Sequence, residues 1–129
     1  VTPSHGHRTG RAGELVALLR LVVGGYRIRH RNWRHGRVEL DIVAERRGTV
    51  VFVEVKTRSG TDFGGAAAAV NARKREHVVR CAAAYLSREG LWERSTRFDV
   101  ITVEPGFLGL PLKVSHYTDA FQTDLGRPM

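Results

Sequence analysis

The chain has 129 residues, 42% of them apolar, and sets 21 Lys+Arg against 13 Asp+Glu for a net charge of +8. That length supports one compact domain with a real core and excludes two. The charge calls for a polyanionic partner, nucleic acid or an anionic membrane surface, while no apolar run approaches the roughly 20 residues of a membrane span.

The base is mostly arginine, since Lys56, Lys74 and Lys113 are the lysines. A single cysteine, Cys81, excludes an internal disulfide framework and fits a reducing compartment. The start carries no apolar signal region, so a soluble cytoplasmic domain is expected.

Residues 1–9 are polar, with Gly and Pro, and are expected to fray. From 11 to 23 the pattern is helical: Leu15, Leu18, Leu19 and Val22 recur at i, i+3, i+4 and i+7, and Gly24 with Gly25 ends the run. YRIRHRN (26–32) predicts a first strand and WRHGR a turn. VELDIVA (38–44) predicts a second strand, with Val38, Leu40, Ile42 and Ala44 on one face and Glu39, Asp41 and Val43 on the other. After a tight ERRG turn, TVVFVEVK (49–56) gives a third strand, completing an antiparallel meander.

TRSGTDFGG (57–65) reads as a Gly-rich loop able to reach a substrate backbone. A long helix follows, starting at Ala66 or Asn71 and ending near Arg88, with Val78, Cys81, Ala82, Tyr85 and Leu86 as its apolar stripe. RFDVITVE (97–104) and LKVSHY (112–117) supply a fourth and a fifth strand. The order αβββαββ predicts a mixed sheet with helices packed on it, in the α/β or α+β class. One domain over 10–122 is expected, with a short tail at 123–129.

Glu54 and Lys56 stand two residues apart on an otherwise apolar strand, so they share a face. If the second and third strands pair through the 45–48 turn, Asp41 comes opposite Glu54, within roughly 5 Å between Cβ atoms. Two carboxylates forced together on an apolar sheet need a proton, a lysine or a metal cation. Lys56 can supply one charge. A hard ion such as Mg²⁺ or Mn²⁺ supplies two and favours carboxylate, carbonyl and water ligands, with the Val55 carbonyl as a further donor. That chemistry suits phosphodiester hydrolysis, with Lys56 holding or activating a water. Glu14, early in the first helix, can reach the sheet rim. The plainer alternatives are a helix-dipole role for Glu14, backbone hydrogen bonds for Asp41, and a simple Glu54–Lys56 ion pair.

Arg27, Arg29 and Arg31 alternate along the first strand, with Arg34 just beyond. Arg73, His77 and Arg80 fall on one helical face beside Lys74 and Arg75, and Arg58 directly follows the third strand. Together these form a candidate positive channel gripping phosphates without reading sequence; a solvated basic face is the alternative. Trp33 can stack on a base or pack into the core. Tyr85, Phe98 and Cys81 read as core residues.

GRAGELVA, YRIRHRNWR, VELDIVA, FVEVKTR, FGGAAAAV, RKR and RFDVITVE occur in one order and spacing that resembles the YraN family, over roughly residues 8 to 122. These are small bacterial proteins similar to archaeal Holliday-junction resolvases, within the PD-(D/E)xK, restriction-endonuclease-like superfamily. The resemblance implies a restriction-endonuclease-like α/β domain: a mixed central sheet flanked by helices, with a divalent-metal nuclease site. Carried over by position, the catalytic residues are Glu14, Asp41, Glu54 and Lys56. The family usually has Gly-Glu-Ile-Asp where this chain has Val38-Glu39-Leu40-Asp41. The expected function is a Mg²⁺- or Mn²⁺-dependent, structure-selective DNA endonuclease, acting on duplex or branched DNA such as a four-way junction and working as a homodimer. The rivals are a nuclease-like fold that binds nucleic acid without cutting, and a small basic RNA-associated protein.

Overall fold

The computed structural model describes residues 10–57, 72–105 and 111–121. In chain order the elements are α1 (Gly10–Val23), β1 (Arg27–His35), β2 (Val38–Arg46), β3 (Thr49–Thr57), α2 (Ala72–Glu89), β4 (Ser95–Pro105) and β5 (Pro111–Tyr117). The strands form one sheet in sequential order, β1-β2-β3-β4-β5. β1, β2 and β3 are antiparallel neighbours, as are β4 and β5, while β3 and β4 run parallel on either side of the α2 crossover. This is an α/β fold with a mixed sheet, the architecture of a restriction-endonuclease-like domain. The expected frayed start, the 57–65 loop beyond Thr57, the stretch 66–71 and the C-terminal tail lie outside the described residues. No helix among the described residues is long and apolar enough to cross a membrane.

β3 is apolar on both faces because both are covered. Val50 and Phe52 join Val78, Cys81, Ala82, Tyr85 and Leu86 of α2, with Phe98 and Phe121 stacked beyond Phe52 at centroid spacings of 5.4 and 5.0 Å. Val51 and Val53 turn the other way, toward Ala17 and Leu21 of α1 and Ile101 and Val103 of β4. The apolar stripe expected on the second helix is the one that is buried. The β2–β3 hairpin closes at Arg47 and Gly48, both at positive φ (51° and 83°), which matches the twist of the flanking strands.

α1 packs differently from its leucine pattern. Leu15, Leu19 and Val22 are 54%, 66% and 55% exposed, and the face against the sheet is Gly13, Ala17 and Leu21. Small residues at i and i+4 let the helix backbone approach the sheet, and this contact prevails over the more hydrophobic stripe. A Cβ on Gly13 would lie 2.8 Å from Thr57 Oγ1 and 3.8 Å from Val103. The helix ends where Tyr26 N–H donates to the Leu21 carbonyl (2.9 Å) across Gly25 at φ 88°, a left-handed terminus suited to glycine.

A second departure lies in β2. Leu40 joins the core beneath α2, whereas Ile42 and Ala44 join the core beneath α1. A regular strand would place all three on one face, so the alternation breaks at Asp41. The neighbouring register, Arg31↔Ile42 and Trp33↔Leu40, sets Asn32 opposite Asp41, and Asn32 is in the left-handed region at φ 50°.

Candidate active site

The β2–β3 ladder runs from Arg46↔Thr49 to Ile42↔Val53. Its next step would pair Asp41 with Glu54, and there the backbone pairing stops. The Asp41 carboxylate takes its place: Val55 N–H donates to Asp41 Oδ2 at 2.8 Å. A strand residue turns its N–H and C=O to the same side, so the Val55 carbonyl also faces the gap. Asp41 and Glu54 are each only 4% exposed. The close seating of α1 on Thr57 through Gly13 brings Glu14 to the same end of the sheet, where Asn32 Nδ2 donates to Glu14 Oε2 at 3.4 Å. Glu14 sits one turn into α1, because the helix begins at Gly10.

Charge is crowded here. Burial pushes the Asp41 carboxyl well above its ordinary range, the negative charge of Glu54 pushes it further, and Glu14 adds to both. The Val55 N–H and the Lys74 ammonium work in the opposite direction without prevailing. The cation on Glu54 is Lys74, from the first turn of α2: Nζ lies 3.0 Å from Glu54 Oε2. Burial tends to lower the Lys74 pKa, but the charge and hydrogen bond of Glu54, with Asp41 and Glu39 behind it, outweigh burial and raise it.

Lys56 follows Glu54 on the same face and is half-buried. Among the described residues it forms no ion pair. The strand spacing pointed to Lys56 as the partner of Glu54, yet a side chain from a helix eighteen residues downstream in numbering, beyond strand periodicity altogether, takes that place.

The arginines divide. Arg27 and Arg29 each bond Glu45 at 2.7 Å, and Arg29 also reaches Glu89 (3.4 Å) and donates to the Tyr85 hydroxyl (3.0 Å). Glu45 pairs with Val50 near the β2–β3 turn, so these two arginines sit at the opposite end of the hairpin from Asp41 and are not brought to the acidic cluster. The bulge between Ile28 and His30 also breaks the shared face expected for Arg27, Arg29 and Arg31. Arg34 bonds Glu39 at 3.1 Å. Arg31 and Arg73 are exposed, and Arg75 lies over the Phe121 ring at 5.9 Å. Lys74, Arg73 and Arg75 form the first turn of α2 beside Glu54. Arg58 lies outside the described residues.

Trp33 packs edge-on against Tyr85, at 5.1 Å between centroids, as a core-side residue. Burial pushes the Cys81 thiol up to about 11, and its S–H points at the Val38 carbonyl (3.7 Å). A separate buried network went unread in the sequence. Asp99, 0% exposed, accepts two bonds from Arg97 (2.8 Å each), meets His116 Nε2 at 2.7 Å, and accepts the Asp119 N–H at 2.9 Å. Burial works to raise the Asp99 pKa, but the bonds from His116 and Arg97 outweigh it, and the net shift is downward. The signal was a lone carboxylate inside FDVITV.

Among the described residues no three His, Cys, Asp or Glu side chains assemble into a complete metal cage. Two buried carboxylates with the Val55 carbonyl on the side of the gap still suit a hard octahedral ion, because Mg²⁺ commonly takes one or two carboxylates and keeps several waters. Burial, and after it the negative charge of Glu54, holds the Asp41 carboxyl up, and a bound cation would relieve both. Such a pair, beside lysines, can hold a divalent ion and face a phosphodiester.

The chain is 43% identical over 115 residues to a UPF0102 protein of Nitratidesulfovibrio vulgaris strain DP4, covering 89% of this chain and 84% of that one. It is 46% identical over 112 residues to a UPF0102 protein of Frankia alni, covering 87% and 92%. With a UPF0102 protein of Bacteroides thetaiotaomicron it shares 44% over 118 residues, covering 90% and 93%. The model of uncharacterised protein family UPF0102 matches residues 13–103, a span that holds Glu14, Asp41, Glu54, Lys56 and Lys74. The chain therefore belongs to this family, the YraN family to which its motifs pointed.

Proposed function

We propose that the protein is a divalent-metal-dependent endonuclease that hydrolyses DNA phosphodiesters and selects by structure, with branched DNA as the preferred class. One observation carries the reading: Asp41 and Glu54 are both buried where β2 and β3 part, two carboxylates beside the single positive charge that Lys74 brings to Glu54. Mg²⁺ or Mn²⁺ bound there would polarise a phosphoryl oxygen and lower the pKa of a coordinated water. Asp41 and Glu54 would hold the ion, with the Val55 carbonyl as a further donor. Lys56, on the Glu54 face and outside any ion pair among the described residues, would steady the attacking water or the developing phosphorane charge. Glu14 orders the rim through Asn32. Arg31, Arg73 and Arg75 supply phosphate contacts that position without reading bases.

Symmetric cutting of a junction requires two sites, so the reading includes a homodimer. The exposed Leu15, Leu19 and Val22 face of α1 is apolar surface of the kind such contacts use. If that face joins the copies, Leu19→Glu sediments as a monomer where the wild type does not.

The test is cleavage of end-labelled four-way junction, linear duplex and single-stranded DNA with Mn²⁺, Mg²⁺ or EDTA. Wild type should cut with metal and not with EDTA, and Glu54→Gln should bind DNA but leave it intact. Cutting that survives Glu54→Gln would refute the site. A second reading has one observation in its favour: Lys74 already gives Glu54 a cation, as in a nuclease-like scaffold that grips DNA without cutting. It predicts DNA binding with no cleavage under any metal.

A further inference from the structure

The first turn of α2 is Ala72, Arg73, Lys74 and Arg75, with no acidic residue. A helix N-terminus is the positive end of the helix dipole and disfavours cations. Three of them there need a reason. For Lys74 the reason is visible: its ammonium reaches 3.0 Å to a carboxylate whose side chain is 5% exposed. The buried carboxylate, and not the helix, holds that lysine in place.

Resting on the metal-site reading above, we propose that Lys74 is the resident counter-cation of the acidic cluster and exchanges with the divalent ion: the Lys74–Glu54 pair and the bound ion exclude each other. The ion would lie against the same carboxylate that Lys74 contacts at 3.0 Å. Two cations held against one buried carboxylate repel each other, and the Lys74 side chain, 32% exposed, has solvent to move into. Without metal, Lys74 keeps Asp41 and Glu54 from repelling each other outright. With metal, the lysine leaves Glu54 and joins Arg73 and Arg75 at the helix terminus. Three cations on adjacent residues are suited to a phosphate. Filling the metal position and presenting the phosphate-binding lysine thereby become one event.

The opposite role is that Lys74 orients Glu54 to receive the ion. The two roles differ in sign. Antagonism requires that neutralising Lys74 tightens metal binding, and linkage requires that metal weakens the lysine's contribution by the same factor. Orientation requires that neutralising it loosens metal binding.

The test is Mn²⁺ titration by calorimetry of wild type, Lys74→Met, Lys74→Arg and Asp41→Asn, with amine labelling read by mass spectrometry. Lys74→Met should bind Mn²⁺ about tenfold more tightly than wild type, and Lys74→Arg, which keeps the charge, should stay near wild type. With three lysines in the chain, each label is assigned directly. Mn²⁺ should raise labelling of Lys74 several-fold in wild type and not in Asp41→Asn, while Lys113 stays constant. Weaker or equal Mn²⁺ binding by Lys74→Met, or unchanged Lys74 labelling in Mn²⁺-loaded wild type, overturns the proposal and leaves the metal site standing. Mn²⁺ binding by none of the four proteins overturns both.

Discussion

Asp41→Asn should make the metal-free protein more stable while removing its capacity for metal. Asp41 and Glu54 are both 4% exposed, each lies one step beyond the last β2–β3 pair, and the charge of Glu54 is felt at Asp41. Like charges about 6 Å apart at an effective dielectric of about 20 repel by roughly 3 kcal/mol. Lys74, 3.0 Å from Glu54, offsets part of that. The amide keeps an oxygen for the Val55 N–H, now 2.8 Å from Oδ2, and its NH₂ can donate to Glu54. A net gain of about 1 kcal/mol is expected, or about 3–5 °C in Tm for a domain of this size. The pH dependence has a definite sign. A carboxyl whose folded pKa is raised contributes stability that is full below its ordinary value, 3.8, and is lost as pH rises through the raised one. Wild type should therefore weaken across that window and Asp41→Asn should not. Thermal melts in EDTA from pH 4 to 8 measure this, and Mn²⁺ should then raise the wild-type Tm alone. A mutant that melts at or below wild type at pH 8 in EDTA would refute the claim that the carboxylates are in conflict.

Gly13→Ala should gain nothing in wild type, because its Cβ meets Thr57 Oγ1 at 2.8 Å, but should stabilise by about 1 kcal/mol in a Thr57→Ala background, where helix propensity is all that changes. Urea midpoints of the four proteins close the cycle, and additivity would sink the close-approach argument. Glu45, held down to about 2 by hydrogen bonds from Arg29 and Arg27, contributes stability present above its ordinary 4.5 and lost as pH falls through about 2. Glu45→Gln should cost about 1 kcal/mol at pH 7 after solvent screening, and the gap to wild type should close between those two values; a gap independent of pH contradicts it. Asp99→Asn strips the Arg97–His116 network of its buried charge and should cost about 3 kcal/mol or more in urea unfolding. A loss under about 1 kcal/mol would show that the network is not holding β4 to β5.

The sheet was legible because its signals are local. The continuous apolar run in 49–56, the turn residues Arg47 and Gly48, and the stripe Val78, Cys81, Ala82, Tyr85, Leu86 each depend on neighbours a few residues away. The seating of α1 was not. Periodicity counts hydrophobicity, and by that measure Leu15, Leu18, Leu19 and Val22 form the stripe, of which Leu18 packs partly against the core and the other three are exposed. The structure chose Gly13, Ala17 and Leu21, since what decides a helix–sheet contact is how near the backbones come. The motif GEL therefore carries two messages: the glycine sets the distance, and the glutamate after it is carried to the rim by that distance.

The position of the two acids was legible for the same local reason, through hairpin register: pairing through the 45–48 turn gives Ile42↔Val53, and Asp41 and Glu54 fall at the next step, where the ladder ends. Its compensation was not, because charge balance is a property of space. Lys56 has the right strand parity and Lys74 has the right position, and the 3.0 Å contact belongs to Lys74. That division has a chemical consequence. Lys56 shares the Glu54 face and forms no ion pair among the described residues, so a cation arriving at Glu54 has no Lys56 contact to displace. A lysine on the first turn of a separate helix can leave Glu54 by rotating its own side chain. The strand lysine suits a constant role beside the reacting water, and the helix lysine suits one that ends when a stronger cation arrives. Neutralising Lys56 should accordingly slow cleavage at saturating metal with little change in Mn²⁺ affinity, whereas neutralising Lys74 should change the affinity first.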